Sequence, residues 1–357
     1  MNFTKVILFW YSENKRDLPW RRVSDPYLVW VSEIILQQTR IGQGTDYYYR
    51  FIERFPDIGS LAAAGEQEVL KLWQGLGYYS RARNMHTAAR QMMTLFNGKF
   101  PDQYDQILHL KGVGEYTAAA IASISFNLPY PVVDGNVMRF FSRFFGVMEP
   151  VDTTKGKNKI SQKAFELIDK DQPGNFNQAI MEFGALICKP ANPICTECVF
   201  NKTCYAFQHG MVSELPVKSK VQSQRTRYFN YLVILNDDRK SDKFIYLNKR
   251  GEKDIWHNLY DFPMIETATA VSLKKLRQSE DWGRVFGSYD VTIVNTSHEY
   301  RHILTHQLII ARFYKVIVSG DLKFPFIKTR LEDITDYPVP RLIANYLPKA
   351  FDFSLFT

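Results

Sequence analysis

The chain has 357 residues, 45% of them hydrophobic and 23% charged, with a formal net charge of +8. That length exceeds one ordinary core and points to two domains of globular composition, and no apolar run of about 18 residues exists to form a membrane span. The N-terminal stretch MNFTKVILFWYSENKRDLPW lacks the cleavage site of a signal peptide, and the positive balance favours, weakly, a polyanionic partner.

Taken in chain order, residues 1–208 read as helical. Apolar residues at 3–4 spacing run through Val31–Thr39, Glu66–Leu76 and Ser80–Phe96. Pro101–Leu110 reads as a short amphipathic helix, followed by Gly112, Val113 and Gly114 and then an Ala-rich helical run. The pattern is helix, glycine hairpin, helix. Another helix is expected to begin near Asn136, and Asn175–Ile187 delivers the chain to its first cysteine. From about residue 209 the character changes. His209–Arg227 is polar and basic without periodicity and reads as a linker. Strand-like runs follow at Arg227–Leu235, Lys243–Arg250 and Leu304–Val318, with helical candidates at Thr269–Gln278 and Val339–Leu347. The expected organisation is therefore multidomain: an all-α domain over 1–208, a linker over 209–226, and an α+β domain over 227–357.

All four cysteines fall in CKPANPICTECVFNKTC, as Cys188, Cys195, Cys198 and Cys204. A disulfide framework would scatter them, whereas this spacing lets four thiols converge on one point. A structural zinc and a four-iron, four-sulfur cluster are the two candidates. Zinc sites usually pair two short C-x2-C knuckles; only Cys195 and Cys198 form one here, and a cube-shaped cluster tolerates the wider gaps better.

Two carboxylates stand in suggestive surroundings. Glu33 lies among Trp30, Ile34 and Leu36; it either occupies the solvated stripe of its helix or sits in an apolar pocket with a raised pKa. Asp134 follows Val132 and Val133, and either caps a helix or faces a substrate. Together, a protonated Glu and an ionised Asp can divide glycosidic chemistry between acid and charge stabiliser. Gly112, Val113 and Gly114, at the head of a helix, either form an ordinary interhelix turn or present backbone N–H groups to an anion such as a phosphate.

The combination GVGEYTA, VVDGNV and C-x6-C-x2-C-x5-C resembles the endonuclease III superfamily of base-excision enzymes. Within it, LPWR, VSEIILQQT, GLGYYSRARN and NQAIMEFGALIC resemble the adenine DNA glycosylase family, with a dense match from about Asp17 to Cys204. The second half resembles that family more loosely, through IWHNLYDFP and LTH, and implies a Nudix-like fold without the glutamate-rich Nudix metal motif.

The resemblance implies a helix-hairpin-helix glycosylase domain with a [4Fe-4S] cluster loop, followed by a Nudix-like domain that recognises 8-oxoguanine. The implied substrate is double-stranded DNA carrying adenine opposite 8-oxoguanine or guanine. Glu33 would protonate adenine, Asp134 would stabilise the sugar cation, and Tyr116 and Asn136 would hold it in position. Tyr116 stands where strand-cleaving relatives carry a lysine, which implies a monofunctional glycosylase. Trp20, Arg21 and Leu36 would line the adenine pocket; Gln38, Thr39 and Tyr78 would fill or border the gap in the duplex. Gly112, Val113 and Gly114 would meet the DNA backbone. Gln178 stands where some relatives have Glu. Leu304, Thr305 and His306 stand where relatives often carry Phe-Ser-His against the oxidised base. The expected setting is a monomer in a bacterial cytoplasm, associated with the nucleoid. The alternatives are an endonuclease III-like glycosylase and lyase for oxidised pyrimidines, and a non-catalytic iron–sulfur DNA-binding protein.

Overall fold

The computed structural model describes residues 2–219, 224–236, 243–252, 254–323 and 325–351. The chain divides into two compact units, Met1–Ala64 with Asn84–Lys220, and Gly65–Arg83 with Val221–Thr357. The segment 65–83, expected within the all-α domain, thus groups with the C-terminal part.

The first unit is helical. Its elements are α1 (Phe3–Asn14), a 3-10 turn at Pro19–Arg21, α2 (Pro26–Leu36), α3 (Ile41–Arg54) and α4 (Ile58–Ala63). After α5 (Glu66–Leu72), which lies in the segment grouped with the second unit, come α6 (Ser80–Leu95), α7 (Tyr104–Leu108), α8 (Glu115–Phe126), α9 (Gly135–Phe145), α10 (Thr154–Leu167), α11 (Pro173–Leu186) and α12 (Tyr205–Gln208). Local chemistry sets the ends that matter. Asp25 caps α2, accepting from the N–H groups of Tyr27 and Leu28, with Pro26 in the first turn where a missing N–H costs nothing. The helix expected over 31–39 stops at Leu36, because Gln38 takes a left-handed conformation at φ 56°. Gly112 has φ 78°, and a Cβ there would stand 2.4 Å from the Cβ of Asn84, so only glycine fits the hairpin. Ile7, Trp10, Phe140, Phe141, Phe176, Phe183 and Phe200 form the core beneath α1, α9 and α11.

The expected linker is packed as far as it is described. Leu215 is buried and its carbonyl accepts from Arg143 Nε at 2.8 Å; Val151 N–H donates to the carbonyl of Val217 at 3.0 Å. Ser219 is held by the Asp152 carboxylate. Residues 220–223, within the expected linker, and 352–357, at the end of the expected α+β domain, lie outside the described residues.

The second unit is built on β1 (Arg225–Asn236), β2 (Phe244–Lys249), β3 (Tyr260–Asp261), β4 (Met264–Thr267), β5 (Val291–Thr296), β6 (Tyr300–Ile303), β7 (Gln307–Val318) and β8 (Ile327–Arg330). β1 and β7 pair in parallel along their whole length, from Arg225 with Gln307 to Asn236 with Val318, and the other pairings are antiparallel. β1 is buried on both faces, which explains its nearly unbroken apolar run. α13 (Leu273–Arg277) and α14 (Glu280–Phe286) supply Leu276, Trp282 and Phe286 to one face; α15 (Arg341–Ala350) supplies Leu342, Ile343 and Tyr346 to the other. The strand expected from Leu304 begins only at Gln307. Leu304, Thr305 and His306 instead form the turn between β6 and β7, whose register runs from Ile303 with Leu308. Among the described residues, no helix is long and apolar enough to cross a membrane.

Candidate active site

In the first unit a cavity of about 500 Å³ opens between α2, α8, α9 and α11. Glu33, Tyr116, Asp134, Asn136, Trp20, Arg21, Leu36, Gln38, Thr39 and Gln178 all line it. α2, which has no exposed residue, brings Glu33 to the cavity as one of its four partly buried side chains. Tyr116, the second residue of α8, donates its hydroxyl to Glu33 Oε2 at 2.8 Å. Glu33 borders the open cavity, so its surface is incompletely covered, yet protein surrounds it closely enough for desolvation to dominate. Burial, opposed by the Tyr116 hydrogen bond, raises its carboxyl to about 7. A carboxyl in that range still holds a proton near neutrality. Burial, reinforced by the charge of Glu33, likewise pushes the Tyr116 phenol far above its ordinary range, so it stays protonated.

Asp134 caps a helix, one of the two readings considered for it, and also lines the cavity. It caps α9, accepting from the Val137 N–H at 2.8 Å, and its other oxygen accepts from Asn136 Nδ2 at 2.7 Å while facing the cavity. Burial raises its pKa, and those hydrogen bonds work the other way. The helix N-terminus behind it favours the ionised form.

Several residues that the sequence did not single out hold this arrangement. Asn177, fully buried, accepts from Val132 N–H at 3.0 Å and donates to Ser123 Oγ and the Tyr130 carbonyl at 2.8 Å each, pinning the segment that leads to Asp134. Arg139 donates to Asn136 Oδ1 at 2.9 Å, the Gly184 carbonyl at 2.6 Å and the Cys188 carbonyl at 2.7 Å. A Cβ on Gly184 would stand 2.8 Å from Asn136, so α11 and α9 meet there backbone to backbone. Arg16 and Glu182 also line the cavity. Glu182 carried a legible signal, since it lies four residues beyond Gln178 on one helical face, between Met181 and Phe183. Gln178, also in the lining, accepts from the Tyr11 hydroxyl at 2.5 Å.

The four cysteines line one small cavity with Phe140, Phe183, Ile187 and Phe200. No His, Asp or Glu shares that lining, and Arg143, almost fully buried, donates to Cys188 Sγ at 3.5 Å. Among the described residues, no three His, Cys, Asp or Glu side chains are gathered closely enough to hold a single metal ion. Four thiols around one apolar space, with no other metal-binding side chain in its lining, form a donor set that would suit a cluster with one thiolate for each iron. Burial pushes the Cys198 thiol up to about 11, so ligation there must deprotonate it.

Tyr78, Leu304, Thr305 and His306 belong to the second unit. Tyr78 is exposed at φ 48°, and its hydroxyl lies 2.8 Å from Thr305 Oγ1. Thr305 and His306 are exposed on the β6–β7 turn. Leu304 packs against the core, and the exposed apolar side chain beside the turn is Ile303, the last residue of β6, at 72%. Beneath the same sheet, Arg227 bridges Asp254 and Glu266, while Arg250 bridges Asp254 and the fully buried Asp261.

The helical unit and its carboxyl-lined cavity define a helix-hairpin-helix base-excision protein. Residues 31–170 match the HhH-GPD superfamily of base excision DNA repair proteins, and residues 230–349 match the NUDIX domain. An adenine DNA glycosylase of Buchnera aphidicola from Schizaphis graminum is 37% identical over 270 residues, covering 74% of this chain and 75% of that one. The mouse adenine DNA glycosylase is 40% identical over 232 residues, 62% of this chain and 45% of that one. Among solved structures, a thermostable thymine-DNA glycosylase superposes with a TM-score of 0.54 at 29% identity, covering 58% of this chain and 95% of that one. A trapped endonuclease III–DNA covalent intermediate superposes with a TM-score of 0.51 at 20% identity over 58% of this chain and 95% of that one, a likeness of fold. The chain belongs to the adenine DNA glycosylase family.

Proposed function

We propose that this base-excision glycosylase flips adenine out of duplexes where it faces 8-oxoguanine or guanine, and hydrolyses its N-glycosidic bond without cutting the strand. The observation that carries the reading is the Glu33–Tyr116–Asp134 constellation around one base-sized cavity. Adenine inside a duplex is out of reach, so it must leave the stack to enter that cavity. Its anion is a poor leaving group, and Glu33, protonated near neutrality, supplies a proton to N7. The bond between C1′ and N9 then breaks, its electron pair leaving with the base. The sugar is left cationic. Asp134, held by Asn136 and the head of α9, faces that charge and stabilises it until water adds at C1′. Tyr116 fixes the Glu33 carboxyl and cannot form an imine with the sugar, which supports a monofunctional enzyme. Trp20, Arg21, Leu36 and Gln178 hold the base. Gln38 and Thr39, at the left-handed turn that ends α2, border the gap it leaves.

Backbone N–H groups around Gly112, Val113 and Gly114 suit a DNA phosphate. Thr305 and His306 meet the N7–O8 edge of 8-oxoguanine, with Tyr78 setting the Thr305 hydroxyl. Cys188, Cys195, Cys198 and Cys204 would hold a [4Fe-4S] cluster, which when bound ties the chain after α11 into one rigid loop. The purified protein is then yellow-brown with about four irons per chain, and colourless protein with one zinc overturns that assignment. A monomer in a bacterial cytoplasm, acting on nucleoid DNA, accompanies this reading.

The test is excision from duplexes containing 8-oxoguanine opposite adenine, guanine opposite adenine, or thymine glycol. Adenine release from the first two, with abasic sites intact until alkali is added, is expected. Release of thymine glycol, or efficient borohydride trapping of a protein–DNA adduct, overturns the reading in favour of a lyase.

A further inference from the structure

The cavity that Glu33 lines holds a second glutamate in the reverse state. Glu182, on α11, is 1% exposed and accepts five hydrogen bonds. Three come from Arg16, through its backbone N–H at 2.9 Å, its Nε at 2.8 Å and a terminal nitrogen at 2.6 Å. Two come from the Arg21 guanidinium, at 2.8 Å each. Arg21 also donates to the Arg16 carbonyl at 3.1 Å, so carboxylate, guanidinium and backbone close on one another. This knot anchors the 3-10 turn that carries Trp20.

Two cations at a cavity wall create a difficulty for the acid that shares the cavity. Arg21 from the 3-10 turn, Arg16 ahead of it, Tyr116 from α8, Asp134 at the head of α9 and Glu182 from α11 line the cavity together with Glu33. Arg21 favours the ionised form of Glu33, and Asp134 favours the protonated form. An uncompensated pair of guanidiniums would draw the proton out of Glu33. Glu182 supplies the compensation. Its own burial works against ionisation, but the hydrogen bonds from Arg16 and Arg21 outweigh it and hold the carboxyl at about 2. It is therefore an anion at every working pH. We propose that Glu182 is a positioning residue that aims Arg16 and Arg21 at the base while cancelling their charge, so that the cavity can hold cations and a protonated Glu33 together.

This inference rests on the proposed role of Glu33 as acid, and one measurement separates the two. Carbon-13-labelled glutamate is introduced, and the Glu33 carboxyl signal is assigned by its loss in Glu33→Gln and titrated in the free protein. In Glu182→Gln, which keeps the shape and loses the charge, the Glu33 midpoint should fall by about one pH unit. In Glu182→Asp, which keeps the charge, it should stay near the original. An unmoved midpoint in folded Glu182→Gln overturns the proposal. If that variant does not fold, Arg21→Met removes one cation and should raise the midpoint; no rise overturns the proposal equally. The rate gives a second readout. Adenine excision by Glu182→Gln should drop about tenfold at pH 8 and approach the parent rate at pH 5.5, as a lowered acid midpoint requires. A uniform loss at both values would mark a merely structural residue and overturn the proposal. Failure of the parent protein to release adenine would overturn the functional reading alone, because the titration needs no substrate.

Discussion

The two places proposed to present polar groups to substrate are built in opposite ways. In the helical unit, Glu33 and Asp134 sit in a deep cavity where burial sets their protonation. In the second unit, Thr305, His306 and Tyr78 stand exposed on a hairpin turn and its neighbour, where water competes for every hydrogen bond. A charge in the cavity is felt at low dielectric, whereas a hydroxyl on the turn contributes only the net worth of one bond. Chemistry that must move a proton suits the first setting; discrimination between two similar bases can be assembled from the second.

That contrast is broken most directly at Glu33. Glu33→Gln keeps the shape and removes the transferable proton, and single-turnover excision of adenine should fall by at least about 1000-fold with duplex binding retained. Near-normal excision would mean that another group protonates the base. The same variant tests the cost of burial. The Glu33 carboxyl is raised in the fold, to about 7, so the parent gains stability from it below its unfolded pKa and loses that stability as pH rises through 7. Denaturant melts at pH 8 should therefore show Glu33→Gln more stable than the parent by an amount on the order of 3 kcal/mol, and the gap should close below pH 4.5. A gap of equal size at both pH values would show that the carboxyl is not strained by burial.

Arg139→Gln sharpens the comparison from behind the cavity. It removes charged bonds to Asn136, Gly184 and the Cys188 carbonyl, and should cost about 2–3 kcal/mol in stability while slowing excision. Unchanged excision in the folded variant would free Asn136 from any dependence on it. On the turn, effects should be smaller. Thr305→Ala with His306→Ala should reduce the preference for 8-oxoguanine over guanine by about 1–3 kcal/mol, read as the ratio of excision rates. Tyr78→Phe, which leaves Thr305 without its 2.8 Å partner, should change that ratio by about 1 kcal/mol or less. A thousandfold loss from either would show that the turn takes part in the chemistry.

Much of the site was legible because its parts are short and local. The glycine hairpin, the Asp134 cap, the apolar surroundings of Glu33 and the grouped cysteines each lie within a few residues, so backbone rules and spacing reach them. The apolar periodicity over 31–39, 80–96 and 175–187 falls on the helices at 26–36, 80–95 and 173–186, with the ends of the first displaced by its Asp25 cap and the left-handed turn at Gln38. The sequence by itself therefore determined which groups could carry the chemistry.

The tertiary structure decided what state those groups are in and what holds them. Glu33 and Glu182 are the same residue type on amphipathic helices, yet one carboxyl is raised to about 7 and the other lowered to about 2. The difference lies in burial for Glu33, which its hydrogen bond from Tyr116 only partly offsets, and in two arginines more than 100 positions away in the chain for Glu182. Arg139 and Asn177 were invisible for the same reason, since their bonds run to segments that approach only on folding. So were the packing of residues 209–219 and the turn at Leu304–His306. A polar composition looks like a linker until Leu215 finds a cavity to fill, and an apolar run looks like one strand until its register with the preceding strand fixes where it turns. Propensity and spacing act over a few residues, whereas burial and ion pairing depend on neighbours brought together only when the chain is folded.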